Sequence, residues 1–204
     1  MREIKMKIDE KGFTLIELMI AMVVGLVVLA ATYSVFTVQN KTLLTQEKLA
    51  SIYQNARIAM DMMIRDISMA GYNPTGTATA GITAANISSI RFTMDLNEDG
   101  VLDATNEDIT YDLYTSEDGV QVLGRKSSAL GTHQPAVEYV ESLSFIYDDG
   151  AGGTPPDISQ IRRVKITITT IAPTEDPSYT DPTHGDHYRR YTLTGYATPR
   201  NLAY

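Results

Sequence analysis

From Phe13 to Phe36 the chain reads FTLIELMIAMVVGLVVLAATYSVF, an apolar run whose one charge is Glu17. At 1.5 Å per residue a helix of this length crosses a hydrocarbon core of roughly 30 Å. A secretory signal peptide would show a shorter apolar stretch, a small-x-small cleavage site and then polar sequence. Here no polar break comes before Gln39. The preceding segment, MREIKMKIDEKG, sets Arg2, Lys5, Lys7 and Lys11 against Glu3, Asp9 and Glu10. The positive-inside rule puts this lysine-bearing end in the cytoplasm and everything after Gln39 on the other side of the membrane.

Glu17 is the residue that needs explaining. A carboxylate inside a span is costly and marks function, with a partner waiting for it. Gly12 followed by Phe13-Thr14-Leu15-Ile16-Glu17-Leu18 resembles the prepilin signature of type IV pilins and of type II secretion pseudopilins, from Lys11 to about Phe36. The resemblance implies cleavage by a prepilin peptidase between Gly12 and Phe13, with N-methylation of the new Phe13 amine. It also gives Glu17 a role in assembly. In a filament its carboxylate would neutralise the Phe13 amine of a neighbouring subunit. An unpaired buried charge is expensive, so such a pair would set register more than it adds stability.

From Gln39 to Tyr72 the pattern predicts that the helix continues. Leu49, Ile52, Tyr53, Ala56, Met60, Met63, Ile64 and Ile67 recur at three- and four-residue steps and form one apolar stripe. The methionines on it read as core. Lys48, Arg57, Asp61, Arg65 and Asp66 fall off the stripe, and Asp61 with Arg65 forms an i,i+4 pair. Gly71 and Pro74 end the helix. The run Asn55 to Tyr72, NARIAMDMMIRDISMAGY, resembles the second half of the helix in PilW-type minor pilins. Thr192-Leu193-Thr194 and Pro199-Arg200-Asn201-Leu202 are a weaker echo of the same family.

Beyond the helix the chain reads as β. Thr75–Ala85, small and polar, is expected to be a surface loop. Strands are expected over Ile87–Met94, Ile109–Thr115, Val120–Arg125, Ser142–Tyr147, Arg162–Ile171 and Tyr188–Ala197. The clearest is Val164 to Thr169, whose strict alternation describes one buried face. Gly150–Pro156 and Pro173–Asp186 are long Gly/Pro/Asp-rich connections, a type often functional or flexible. The predicted class is α+β: a long N-terminal helix, half in the membrane and half amphipathic, packed on a mainly antiparallel sheet as in pilins. The expected divisions are a cleaved leader over 1–12, a transmembrane or filament-core helix over 13–38, an amphipathic helix over 39–72 and a β-rich head over 73–204.

One local motif carries chemistry. Asp95-Leu96-Asn97-Glu98-Asp99-Gly100-Val101-Leu102-Asp103 puts oxygen side chains at steps 1, 3, 5 and 9. A glycine stands at step 6 and a backbone carbonyl, Val101, at step 7, which is the layout of EF-hand-like calcium loops. Step 12 is Asn106 where an EF-hand has a bidentate glutamate, and the flanks read as strands. Glu107 or Asp108 would have to supply the missing oxygens. A metal-free hairpin turn built from Asn, Asp and Gly is the other reading. His184-Gly185-Asp186-His187 near Asp181 reads as a solvated loop, and His133 as a surface residue. Gly150-Ala151-Gly152-Gly153 is no phosphate loop, because Pro155-Pro156 follows where a helix N-terminus is required.

Composition narrows the function. Seventeen basic against twenty-five acidic residues give a net charge of −8, which argues against non-specific nucleic-acid binding. The chain has no cysteine, so disulfides, zinc–thiolate sites and thiol nucleophiles are excluded. No nucleophile elbow and no acid/base carboxylate pair is recognisable, so a non-enzymatic role is expected. The resemblance implies a minor pilin that primes or joins a type IV pilus. Its partners would be major and minor pilins, the prepilin peptidase and the inner-membrane assembly platform. Its place would be the bacterial inner membrane, with the head in the periplasm, and then the extracellular pilus. A minor pseudopilin of a type II secretion system is the alternative within the family. A calcium-dependent adhesin on a pilin anchor is the alternative from another class.

Overall fold

The computed structural model describes residues 12–202. The expected leader, apart from Gly12, lies outside the described residues. The chain divides into two compact units, Met1–Gln46 and Glu47–Tyr204.

One helix, α1 (Leu15–Ser68), enters both units. Thr14 starts it. Its Oγ1 accepts the Glu17 N–H at 3.3 Å while Glu17 Oε2 accepts the Thr14 N–H at 2.8 Å. This is the reciprocal capping box, which satisfies two amides that a helix start otherwise leaves free. Within the first unit the large apolar side chains from Phe13 to Leu44 are all more than half exposed. The helix is long and apolar enough to cross a membrane.

In the second unit the rest of α1 turns Ile52, Ala56, Ala59, Met60, Met63 and Ile67 into the core. The periodicity predicted this face, although Tyr53 remains 47% exposed, edge-on to Tyr191 with ring centroids 4.3 Å apart. The helix stops at Ser68, four residues before the predicted end. Gly71 adopts φ +81°, the left-handed conformation that closes helices. The C-terminal segment then caps the exposed carbonyls. Arg200 N–H donates to Ser68 O at 3.1 Å and the Asn201 amide to Met69 O at 3.3 Å.

The head holds two antiparallel sheets where one was expected. The first has five strands in the order β1 (Ile82–Ala85), β2 (Ile90–Thr93), β3 (Asp108–Thr115), β4 (Gln121–Ser127) and β5 (His133–Glu138). The second has three, β6 (Val140–Asp148), β7 (Arg163–Ile171) and β8 (Arg190–Ala197). The break falls at Tyr139, whose φ of +58° turns the chain between β5 and β6. Across β7 and β8, Val164, Ile166 and Ile168 are fully buried, as their alternation predicts. Gly195 on β8 faces α1 so closely that a Cβ there would sit 2.5 Å from Met60 Sδ.

Several expectations are corrected. Strand β1 lies inside the segment read as a loop, and β5 was not foreseen. Strand β2 begins only at Ile90, because Asn86–Ser89 is a turn closed by Asn86 N–H to Ser89 O at 2.9 Å. Arg65 approaches Asp66 at 3.5 Å, and no Asp61–Arg65 pair forms among the described residues. Asp66 is itself mostly buried, held by groups from β3 and β4. Histidine 133 is half-buried on β5, its Nε2 2.9 Å from Asp112 Oδ1 and its ring stacked on Tyr114.

Candidate functional sites

The first candidate is the helix start. Gly12 and Phe13 are exposed, and Phe13 keeps 90% of its surface in the open. Glu17 Oε2 accepts from both the backbone N–H and the hydroxyl of Thr14, each at 2.8 Å, while Oε1 takes no hydrogen bond from the described residues. The Thr14-x-x-Glu17 spacing is the sequence signal of this cap. The carboxylate thus has a local role and an oxygen to spare.

The second candidate is the loop between β2 and β3, residues 94–107. Arg91 donates through Nε and Nη2 to both oxygens of Asp108, closing the base of the loop and holding that carboxyl below its usual range. Met94 N–H to Glu107 O, at 2.8 Å, extends the ladder one step further. Glu107 is fully buried and staples the loop: Oε1 accepts Leu96 and Asn97 N–H, each at 3.1 Å, and Oε2 accepts Ala104 N–H at 2.9 Å. With three amides on its carboxylate, Glu107 organises the loop from inside.

Asp95 is also fully buried. Its Oδ2 accepts Gly100 N–H at 3.1 Å and the Thr75 hydroxyl at 3.3 Å, while Oδ1 has no partner. Asn97 and Asp99 form local turns: Asn97 Oδ1 takes Asp99 N–H at 3.1 Å, and Asp99 Oδ1 takes Val101 N–H at 2.8 Å. Asp103 is exposed. Gly100 has φ +84°, and a Cβ on it would lie 2.2 Å from Thr77 Oγ1, so only glycine fits that corner. Among the described residues no three His, Cys, Asp or Glu side chains converge as a ready metal cage. Of the six residues proposed as ligands, Asp95 is bonded to Gly100 across the turn, while Asn97 and Asp99 are bonded to each other. Asp103 and Val101 stand at the surface, the latter with its N–H on Asp99, and Glu107 is engaged with backbone N–H groups.

The loop also grips the segment that follows α1. Asp95 N–H donates to Tyr72 O at 2.7 Å, and Tyr72 OH donates to Glu98 Oε1 at 3.1 Å, which raises the phenol's pKa. From the other side, Asn106 Oδ1 accepts Arg125 Nη1 at 2.8 Å.

The connection 172–189 is ordered by its own charges. Asp176 takes the Ser178 hydroxyl at 2.6 Å and Arg189 Nε at 2.8 Å, and these hold its carboxyl down at about 2. Asp181 accepts the backbone N–H groups of His184 and Thr183, with the His184 ring and Arg190 nearby, and is likewise held at about 2. His184 and His187 serve these turns, the latter through its Nδ1, 2.5 Å from Tyr179 O.

Residues 8–33 match the family model of the prokaryotic N-terminal methylation motif. The chain carries that motif. It covers Gly12, Phe13, Thr14 and Glu17 together with most of the apolar run, as far as Tyr33. No curated protein is similar enough to the chain to count as a match. Among solved structures, a type IV-like pilin, TTHA1219 from Thermus thermophilus, aligns with a TM-score of 0.46 at 11% identity, over 74% of this chain and 98% of that one.

Proposed function

We propose that the chain is a type IV pilin-like subunit, a minor pilin that joins or primes a pilus and has a structural rather than a catalytic role. The observation that carries this reading is the methylation motif at residues 8–33, set on a helix whose apolar side chains stand in the open from Phe13 to Leu44. An apolar surface of that extent needs lipid or other helices around it. The head, with its own core, would remain in water. In this reading the peptidase cuts between Gly12 and Phe13, an exposed stretch just ahead of the Thr14 cap. Phe13 becomes the methylated first residue, and the subunit waits in the inner membrane with its head in the periplasm. Its partners are then other pilins and the assembly platform.

The test is direct. Mass spectrometry of the protein from its native membrane should give an N-terminus at methylated Phe13, and gold-labelled antibody should decorate sheared filaments. A mature protein starting at Met1 would sink the pilin reading. Correct processing with labelling confined to the envelope would instead favour a secretion pseudopilin.

A further inference from the structure

We propose that the β2–β3 loop binds one calcium ion. Asp95 Oδ1 is its buried anchor, and Asn97, Asp99, the Val101 carbonyl and Asp103 close around it. The bound ion fastens the exit of α1 to the five-stranded sheet.

Asp95 carries the argument. A carboxylate oxygen with no exposure and no partner is a costly thing to leave in a folded chain. Its sister oxygen is fixed by the Gly100 N–H across the turn and by the Thr75 hydroxyl, which anchors the carboxylate beneath the Asp95–Gly100 turn and leaves Oδ1 the one oxygen of that carboxylate with no donor among the described residues. The charge count points the same way. Residues 95–107 hold Asp95, Glu98, Asp99, Asp103 and Glu107 and no basic residue. None of these five takes part in an ion pair among the described residues. A divalent cation would satisfy Oδ1 and offset that repulsion at once. All the donors are oxygens, at the steps a calcium loop uses, and a flexible mixed set of this kind suits calcium better than the rigid octahedron of magnesium.

Binding would ask little of the backbone. Asp99 and Asp103 are exposed, and their side chains can turn inward. Gly100 already holds the sharp corner, and Glu107 already gathers the amides of Leu96, Asn97 and Ala104. The consequence reaches the helix exit, since Asp95 bonds Tyr72 and Thr75, and Gly100 abuts Thr77. The proposal concerns the head alone and does not depend on whether the chain enters a filament.

The experiment uses the full chain in detergent, stripped with chelator and titrated with calcium chloride by calorimetry. Thermal melting is then followed by circular dichroism. One calcium per chain is expected, with a rise in melting temperature of about 5–10 °C at roughly a hundredfold excess over the dissociation constant. Magnesium at the same concentration should give no comparable rise. Asp95→Asn keeps an acceptor for Gly100 but loses the charge. Asp99→Asn is at the surface and tests the site even if the buried change prevents folding. Each folded variant should lose calcium binding at least tenfold. No binding heat and equal melting with and without chelator would overturn the proposal. So would calcium binding that survives Asp99→Asn unchanged, or an equal response to magnesium.

Discussion

Asp66 of α1 accepts, on a single oxygen, the Arg125 Nε–H at 2.9 Å and the Tyr111 hydroxyl at 2.8 Å. One helical carboxylate thereby ties α1 to β3 and β4. Through Arg125 Nη1 and Asn106 the tie continues to the end of the β2–β3 loop. Tyr111 is fully buried, and that burial, ahead of the nearby carboxylate, drives its phenol pKa upward. The first prediction follows from the geometry. Asp66→Ala strands a guanidinium and a phenol in a site that is mostly closed to water, which should cost about 2–4 kcal/mol. Tyr111→Phe, which removes one hydrogen bond and leaves the ion pair, should cost about 1 kcal/mol. Urea unfolding of the head, read by circular dichroism, measures both. Equal losses for the two changes would show that the carboxylate is no hub.

This cluster also marks where sequence reasoning stopped. The stripe from Ile52 to Ile67 was legible because α-helical periodicity reports the buried face directly, and β7 because strict alternation reports one. Asp66 falls off the stripe by position, and nothing local reveals that Arg125, fifty-nine residues later, waits for it. Strand β1 was hidden because it is only four residues long, Ile82-Thr83-Ala84-Ala85, and continues the run of small residues that begins at Thr75. It pairs with β2 as a local hairpin across the Asn86–Ser89 turn, from Ala85 opposite Ile90 to Ile82 opposite Phe92. Strand β5 was hidden by Pro135, which a central strand would not tolerate. It is tolerated because β5 is the edge of its sheet. At the β2–β3 loop the residue spacing was legible, whereas the capture of Glu107 by three amides and the lone Asp95 oxygen needed the fold.

The contact between β8 and α1 gives the second prediction. Gly195 lets the helix approach, and a new Cβ would meet Met60 Sδ at 2.5 Å and Ile64 Cδ1 at 3.1 Å. Met60 is buried and has little room to retreat. Gly195→Val should therefore destabilise the head by about 1–3 kcal/mol through overpacking. Thr194→Val, on the outward face of the same strand, should stay within about 0.5 kcal/mol. Adding Met60→Ala to Gly195→Val should cost less than the two single changes together, because they share one space. Strict additivity in denaturant melts would count against the contact.

A third prediction concerns acid. Asp176 is held at about 2 by the Ser178 hydroxyl and then Arg189, and Asp181 at about 2 by backbone N–H groups of His184 and Thr183. Both are lowered from an ordinary 3.8, so the folded state favours the charged forms. The stability they contribute is complete above pH 4 or so and is lost as pH falls towards about 2. Asp186 and Glu141 share Arg190 with Asp181. Carboxyl-carbon NMR should show two midpoints near 2 in the connection 172–189, with Arg189 and Arg190 signals moving in step. Midpoints near 4 would mean that these turns do not persist in solution.

The last prediction separates two roles for Glu17. Its carboxylate closes the capping box with Thr14, and under the pilin reading it also meets the Phe13 amine of a neighbouring subunit. Glutamine can perform the first role, because its amide oxygen accepts the Thr14 N–H as the carboxylate does. It cannot perform the second, because it carries no charge to neutralise an amine inside an apolar core. Glu17→Gln should therefore insert and be processed normally, with the helix start intact, yet fall out of purified filaments as fully as Glu17→Ala does. Thr14→Ala should remove the cap, at a cost of about 1 kcal/mol, and still be incorporated. Quantitative immunoblots of sheared filaments against membranes give the ratio for each variant. Glu17→Gln at the unmodified protein's level in filaments, with Glu17→Ala absent, would assign the residue to the local cap instead.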